Sequence, residues 1–194
     1  MKALAFGDIH GNSTYTHLIK KKAEKCDFIL CSGDISNFGV NLKKTLYELN
    51  KLKKPIFLVH GNHEDLESIK KLRLDNIKIV HKTIVKYKDY NITGYGNLGF
   101  SERSIDVENF IDRIKSKLKN KKVIFISHAP PKNTKLDLLP WSGHVGCISF
   151  RKAINILNPE IYICGHLHEN FGMIQRINNT KTLNPGPKGI IIDL

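Results

Sequence analysis

The chain lacks an apolar run long enough to cross a bilayer, which takes about 20 consecutive apolar residues. Its first apolar stretch ends at Asp8, too early for the hydrophobic region of a secretory signal. Cysteine is also scarce: the sequence has four, and no two form the C-x-x-C pair of a zinc knuckle or a dithiol redox site. These absences predict a cytoplasmic protein with no membrane partner.

Acidic residues are few, with 18 Asp and Glu against 31 Lys and Arg, so the formal net charge is +13. Such a balance is compatible with a nucleic-acid partner. However, the lysines are spread along several predicted helix faces instead of being gathered beside aromatic residues. This distribution favours an ordinary solvated basic surface, and nucleic-acid binding stays an alternative.

The length of 194 residues fits a single domain over 1–194 with a sizeable core. Apolar runs rich in Ile and Val alternate with segments of helical period, which predicts an α/β fold. Helices are predicted over 14–25, 40–53, 65–73, 104–119 and 147–157. Short strands at 77–80, 83–87 and 90–93 are predicted to form a meander, and the tail to form antiparallel strands over 171–176, 180–183 and 189–192. The expected architecture is two mixed sheets packed together, with helices outside.

Five polar motifs each follow directly behind an apolar run. Such runs are typical of strands buried on both faces, and the ligand crevice of an α/β sheet lies at the carboxyl ends of its strands. The motifs should therefore converge. They are Gly7-Asp8-Ile9-His10-Gly11, Gly33-Asp34, Gly61-Asn62-His63-Glu64, Ser127-His128-Ala129-Pro130-Pro131 and Gly165-His166-Leu167-His168.

The motifs offer carboxylate and amide oxygens together with imidazole nitrogens. A mixed N/O set without thiolate suits divalent Mn, Fe, Co, Ni or Zn better than Mg or Ca. Seven candidate ligands are too many for one tetrahedral ion but enough for two ions that share a carboxylate. In each D-x-H or H-x-H pair, an extended backbone would point both side chains to one face. The candidates are Asp8, His10, Asp34, Asn62, His128, His166 and His168.

The ordered motifs D-x-H, G-D, G-N-H-E, H and G-H-x-H resemble those of the calcineurin-like metallophosphoesterase superfamily, in particular its small prokaryotic phosphoesterases. The resemblance implies an αββα sandwich and two divalent ions, Mn first among the choices. It implies one ion held by Asp8, His10, Asp34 and His168, and another held by Asp34, Asn62, His128 and His166. It also implies that His63 is a catalytic group that contacts phosphate and stabilises the transition state or protonates the leaving oxygen.

The second motif departs from that of the Ser/Thr protein phosphatases. Those enzymes carry an acidic residue and an Arg after Gly-Asp, whereas this chain has Asn37 where the acid would orient the histidine, and no Arg. We therefore expect a phosphodiesterase acting on a small-molecule or nucleotide substrate, with a metal-bridged hydroxide attacking phosphorus. The alternatives are a nuclease and a non-catalytic metal-binding scaffold of the same fold.

A proline- and glycine-rich loop over 129–146 lies next to these motifs. Loops this long in compact domains are usually functional or mobile. Within it, Trp141 could stack on a base or aryl group or simply cover apolar surface, and His144 could contact substrate or pack within the loop. Arg151, at the start of the following helix, could reach phosphate or be solvated. The natural substrate and the oligomeric state do not follow from the sequence.

Overall fold

The computed structural model describes residues 1–194, which form thirteen strands and five α-helices. The strands are β1 (Lys2–Phe6), β2 (Phe28–Cys31), β3 (Ile56–Leu58), β4 (Ile77–Ile79), β5 (Ile84–Tyr87), β6 (Tyr90–Tyr95), β7 (Lys122–Ser127), β8 (Leu138–Leu139), β9 (Gly143–His144), β10 (Ile161–Ile163), β11 (Ile174–Ile177), β12 (Thr180–Leu183) and β13 (Ile190–Asp193). The helices are α1 (Ser13–Ala23), α2 (Leu42–Asn50), α3 (Leu66–Lys70), α4 (Ile105–Leu118) and α5 (Ile148–Leu157).

Two large mixed sheets organise these strands. The first has the order β13-β1-β2-β3-β4, with β1 to β4 parallel and β13 antiparallel to β1. The second has the order β11-β12-β10-β7-β6-β5, with a parallel centre and an antiparallel strand at each edge. The prediction of two mixed sheets flanked by helices is confirmed.

Alternation along the strands divides the core into three layers. In β1, Ala3 and Ala5 face the layer between the two sheets, while Leu4 and Phe6 face the helices on the outside. In β7, Ile126 faces the inner layer and Phe125 packs outward under α4 and α5. Both faces of each central strand are therefore apolar, and this explains why these strands have continuous apolar sequences without polar alternation.

The chain leaves the first motif through a helix cap. The side-chain Oδ1 of Asn12 accepts hydrogen bonds from the backbone N–H groups of Thr14, at 2.9 Å, and Tyr15, at 3.3 Å, so α1 begins directly after Gly11. An Asn cap of this kind stabilises a helix by about 1 kcal/mol. Since the cap fixes the start of α1, it also fixes the course of the backbone where the first motif ends at Gly11.

The predicted meander over 77–93 is wrong. The strand β4 continues the first sheet in parallel to β3, whereas β5 and β6 form a hairpin at the edge of the second sheet. The segments β3, α3 and β4 form a βαβ unit, in which the two strands are parallel. In the tail, β11 and β12 are antiparallel as predicted, but β12 also pairs in parallel with β10, and β13 crosses to the first sheet.

The predicted helices all occur, with ends that differ by a few residues from the expected ones. The largest difference is in α2, expected over 40–53 and found over Leu42–Asn50. The 129–146 loop contains a small hairpin of β8 and β9. None of the helices has the length and apolar character needed to traverse a membrane.

Candidate metal centre

The ends of five central strands bring the candidate side chains to one edge of the molecule. These strands are neighbours, β1-β2-β3 in one sheet and β10-β7 in the other, so their carboxyl ends lie side by side. The residues are Asp8 and His10 after β1, Asp34 after β2, Asn62 and His63 after β3, His128 after β7, and His166 and His168 after β10.

The backbone at these strand ends is left-handed, not extended. Four of the candidate residues have positive φ: Asp8 at 56°, His10 at 46°, Asp34 at 51° and His166 at 72°. The expectation that extended D-x-H and H-x-H segments align their side chains is therefore wrong. The side chains meet because each strand turns sharply where it ends, in a conformation that is uncommon for residues other than glycine.

Glycine is required beside two of these turns. Gly33 has φ of +98°, and a Cβ there would collide with the backbone of Gly61. A Cβ at Gly61 would in turn collide with the carboxylate of Asp34. These glycines let the second and third motifs approach closely enough for Asp34 to lie between them.

One set of donor atoms comprises Asp8, His10 and His168, whose ligand atoms all lie within 4.8 Å of one another. The Nε2 atoms of His10 and His168 are 3.2 Å apart. The carbonyl oxygen of Ser36 lies 3.3 Å from His10 Nδ1 and can accept a hydrogen bond from it. That hydrogen bond leaves the lone pair of His10 Nε2 directed at the cluster, as the outer hydrogen bond of a metal-binding histidine does.

A second set surrounds the carboxylate of Asp34. Its Oδ2 lies 3.4 Å from His128 Nε2 and 3.9 Å from His10 Nε2, so Asp34 stands between the two sets. His128 Nε2 is also 2.8 Å from Asn62 Oδ1, and its Nδ1 is 2.8 Å from the carbonyl oxygen of Ser32. The ring of His166 completes this side, with its centroid 5.2 Å from that of His128.

The charges of these groups depend strongly on one another. Burial raises the pKa of Asp8 to about 7. Burial also acts to raise the pKa of Asp34, but hydrogen bonding to His128 and its charge outweigh this and lower the pKa to about 2. For His128 burial acts to lower the pKa, yet Asp34 raises it to about 9. Both ring nitrogens of His128 face acceptors, which agrees with a protonated imidazolium in the metal-free protein.

Two buried atoms in the cluster have no hydrogen-bond partner, Asp8 Oδ2 and His166 Nε2. Burial lowers the pKa of His166 to about 4, so the ring is neutral and one of its two nitrogens carries a free lone pair. Unpartnered buried polar atoms are costly and call for an explanation. A cation that accepts both, and displaces the protons of Asp8 and His128, is such an explanation. The donor set therefore fits divalent metal ions.

The structure also shows a supporting role for Glu64, which the sequence reasoning did not assign. Its carboxylate is buried, and Oε1 accepts hydrogen bonds from the backbone N–H groups of Ile35, at 3.2 Å, and Gly61, at 3.1 Å. Glu64 thus joins the loop after Asp34 to the loop that carries Asn62. The sequence signal for this role of Glu64 was its position directly after His63 in the third motif.

His63 lies beside the cluster and stacks against Phe38. The ring centroids are 4.0 Å apart with an interplanar angle of 28°. His63 Nε2 is 3.8 Å from Asp34 Oδ2, its backbone N–H donates to Asp34 Oδ1 at 3.0 Å, and its Nδ1 has no hydrogen-bond partner. His63 also forms a compact donor group with His10 and Asp34. An aromatic contact therefore orients the ring, in a chain that has Asn37 where the Ser/Thr protein phosphatases carry an acidic residue.

A cavity of about 440 Å³ opens over the cluster and is lined by ten residues. Trp141 lines it, as do Phe100 and Leu139, which sequence reasoning missed. The structure does not bring His144 or Arg151 to this cavity. Instead, His144 Nδ1 is 2.8 Å from the buried Asp137 Oδ1, and the half-buried Arg151 side chain on α5 makes no hydrogen bond. The lining residues are Asp34, Asn62, His63, Phe100, Leu139, Trp141, His166, Leu167, His168 and Glu169.

Comparison with known proteins places this geometry in a family. The family model for the calcineurin-like phosphoesterases matches residues 1–170. An uncharacterized protein of Methanocaldococcus jannaschii is 30% identical over 203 aligned positions, which cover 99% of this chain and 91% of that protein.

Solved structures share the fold at low sequence identity. A protein of Thermus thermophilus superimposes with a TM-score of 0.75 at 15% identity, covering 95% of this chain and 88% of that one. A dimetal phosphatase from Danio rerio superimposes with a TM-score of 0.67 at 11% identity, covering 95% of this chain and 86% of that one. The match of the family model over most of the sequence shows that the chain belongs to the calcineurin-like phosphoesterase family.

Proposed function

We propose that the protein is a dinuclear metal-dependent phosphodiesterase acting on a small phosphodiester. The observation that carries this proposal is the position of Asp34 between two donor sets at the floor of an open cavity. Asp8, His10 and His168 would hold one ion and Asn62, His128 and His166 the other, with Asp34 shared. When bound, a pair of divalent ions lowers the pKa of water and neutralises charge on phosphoryl oxygens.

His63 is the group we assign to the leaving oxygen. It lines the cavity, and its ring is about one-fifth exposed, so substrate can reach it. In its protonated form Nε2 can donate a hydrogen bond to the ester oxygen and transfer the proton as the bond to phosphorus breaks.

The charge of the cavity favours a diester over a monoester. None of its ten lining residues is Lys or Arg, and Glu169 adds a carboxylate at its exposed side. A phosphomonoester is close to a dianion at neutral pH, whereas a diester carries one negative charge. Without a lysine or arginine to offset the additional charge, the cavity should bind and hydrolyse the monoanion better.

The test is hydrolysis of bis-p-nitrophenyl phosphate and of p-nitrophenyl phosphate by the full chain loaded with Mn, Fe, Co, Ni or Zn. We expect metal-dependent turnover, with higher kcat/KM for the diester. His63→Ala should lower kcat while leaving bound metal unchanged. His17→Ala, an exposed histidine on α1, is the matched control and should behave like the wild type.

Glu169→Gln and Glu169→Lys test the charge argument separately. Both should raise kcat/KM for the monoester relative to the diester, and the lysine variant should do so more. Folded protein that binds two metal ions per chain but hydrolyses neither substrate with any of the five metals would overturn the proposal.

A further inference from the structure

The cavity over the cluster has a polar floor and one apolar wall. The floor contains Asp34, Asn62 and the imidazoles, while Phe100, Leu139 and Trp141 form the wall. The geometry points to a subsite in which this wall binds a flat aromatic substituent of the phosphodiester, an aryl ring or a nucleobase. The inference rests on the proposed function and names the substrate class of the same site.

The wall leaves much aromatic surface uncovered beside the cluster. Trp141 is 71% exposed and Phe100 is 64% exposed. Single exposed apolar residues are common, but here two aromatic rings line one cavity together with the candidate ligands. The ring of Phe100 packs edge-on against His166, with centroids 4.5 Å apart. The apolar wall therefore begins directly at the metal centre, where the phosphate of a substrate would lie.

The segment that carries Trp141 is anchored, unlike a loose surface loop. Trp141 lies between the paired strands β8 and β9, and the base of this hairpin is tied to the fully buried Asp137. The carboxylate of Asp137 accepts hydrogen bonds from the backbone N–H groups of Thr134, at 2.7 Å, and Gly146, at 3.0 Å, and contacts His144 Nδ1 at 2.8 Å. An aromatic ring on a fixed hairpin loses little entropy on binding, as a stacking platform requires.

The size and composition of the cavity agree with this occupant. A volume of about 440 Å³ is within the range of small-molecule sites. A methyl ester would leave the wall exposed to water, whereas a base or aryl ring would cover it. Stacking of a base on an aromatic side chain changes affinity by about 5- to 150-fold. Aromatic esters should therefore be preferred over methyl esters by a factor in this range.

The kinetic test uses three diesters with the same leaving group: methyl p-nitrophenyl phosphate, bis-p-nitrophenyl phosphate and thymidine 5′-p-nitrophenyl phosphate. In the Mn-loaded full chain we expect higher kcat/KM for both aromatic esters than for the methyl ester. Comparison of the two distinguishes an aryl subsite from a nucleobase subsite. Trp141→Ala and Phe100→Ala should lower kcat/KM for the aromatic esters more than for the methyl ester, so that the preference shrinks, and Trp141→Phe should keep part of it. Tyr47→Ala, an exposed aromatic on α2, is the control.

A binding test does not depend on catalysis. The chain has one tryptophan, so fluorescence excited at a wavelength that tyrosine does not absorb reports Trp141 alone. In the metal-free protein, the methyl ester of adenosine 5′-monophosphate should quench this emission saturably, with weaker binding in Phe100→Ala, while dimethyl phosphate should have no effect.

Hydrolysis of the methyl ester by the wild type and by every variant would support the proposed phosphodiesterase activity, whatever the apolar wall binds. The two proposals can therefore fail separately. If no ester is hydrolysed, the proposed function fails and the fluorescence titration still decides the subsite. An unchanged ester preference in Trp141→Ala and Phe100→Ala, or quenching that does not saturate, would overturn the inference.

Discussion

Replacement of Phe38 by alanine tests how His63 is held. The Phe38 ring stacks on the imidazole at 4.0 Å and is itself 75% exposed, so its loss should remove the contact without opening the core. Aromatic pairs of this kind are worth about 0.5–1.5 kcal/mol. Since His63 Nδ1 has no hydrogen-bond partner, stacking is a main restraint on the ring. The population of the oriented ring should therefore fall by about 2- to 13-fold, with 1.4 kcal/mol equal to a factor of ten.

The assay is a series of aryl methyl phosphates whose phenol leaving groups differ in basicity. If His63 protonates the leaving oxygen, Phe38→Ala should lower kcat most for phenol itself and least for p-nitrophenol, which departs readily without a proton. Phe38→Tyr keeps a ring of the same size and should retain most of the activity. Val40→Ala removes an exposed apolar side chain two residues away and serves as the control.

Two results would refute the reasoning. One is an equal loss of kcat for all leaving groups, because a positioned proton donor must matter more for the poorer ones. The other is a change in KM alone, which would assign Phe38 to substrate binding and not to the orientation of His63.

Three further perturbations address the frame of the site. Glu64→Ala should lower the free energy of unfolding by about 2–5 kcal/mol, because two buried N–H groups lose their acceptor. The measurement is urea unfolding in the presence of EDTA. Glu64→Gln keeps an acceptor and should lose less stability, so equal losses in the two variants would contradict this role. Asp34→Asn should weaken the binding of both metal equivalents by at least ~10-fold. Calorimetry and metal analysis measure this binding. Loss of one equivalent alone would contradict the role of Asp34 as a shared ligand. Hydrogen bonding to Arg103 and Lys152 lowers the pKa of Glu108 to about 2. The stabilisation that ionised Glu108 provides is therefore complete above the ordinary Glu pKa of about 4.3 and is lost as pH falls toward 2. The difference in Tm between wild type and Glu108→Gln should be constant above about pH 5 and shrink on acidification. A difference that grows on acidification would contradict this role of Glu108.

The parts of the fold that the sequence predicts correctly are those set by local patterns. Buried strands require continuous apolar runs, and the five runs that precede the motifs are β1, β2, β3, β7 and β10 in the structure. The motifs that follow them then had to lie at one edge of the sheets. Sheet membership was harder to predict, because β4 and β13 are short segments whose partners are chosen by long-range packing.

The missed parts of the site depend on residues distant in sequence. Phe38 and Phe100 stand in loops without any period, and only the folded chain brings them to His63 and His166. The left-handed turns at the strand ends were missed for a different reason. Non-glycine residues rarely adopt positive φ, so local propensity predicted an extended backbone at Asp8 that the surrounding contacts override.

The donor groups come from both sheets, so the candidate metal centre spans the boundary between them. Asp8 and His10 belong to one sheet and His168 to the other; likewise Asp34 faces His128 across the boundary. A ligand that binds only the assembled form stabilises that form by mass action. Cation affinity at the proposed centre would thus include the free energy of holding the two sheets in register, and we expect packing defects in the inner apolar layer to weaken that affinity from a distance.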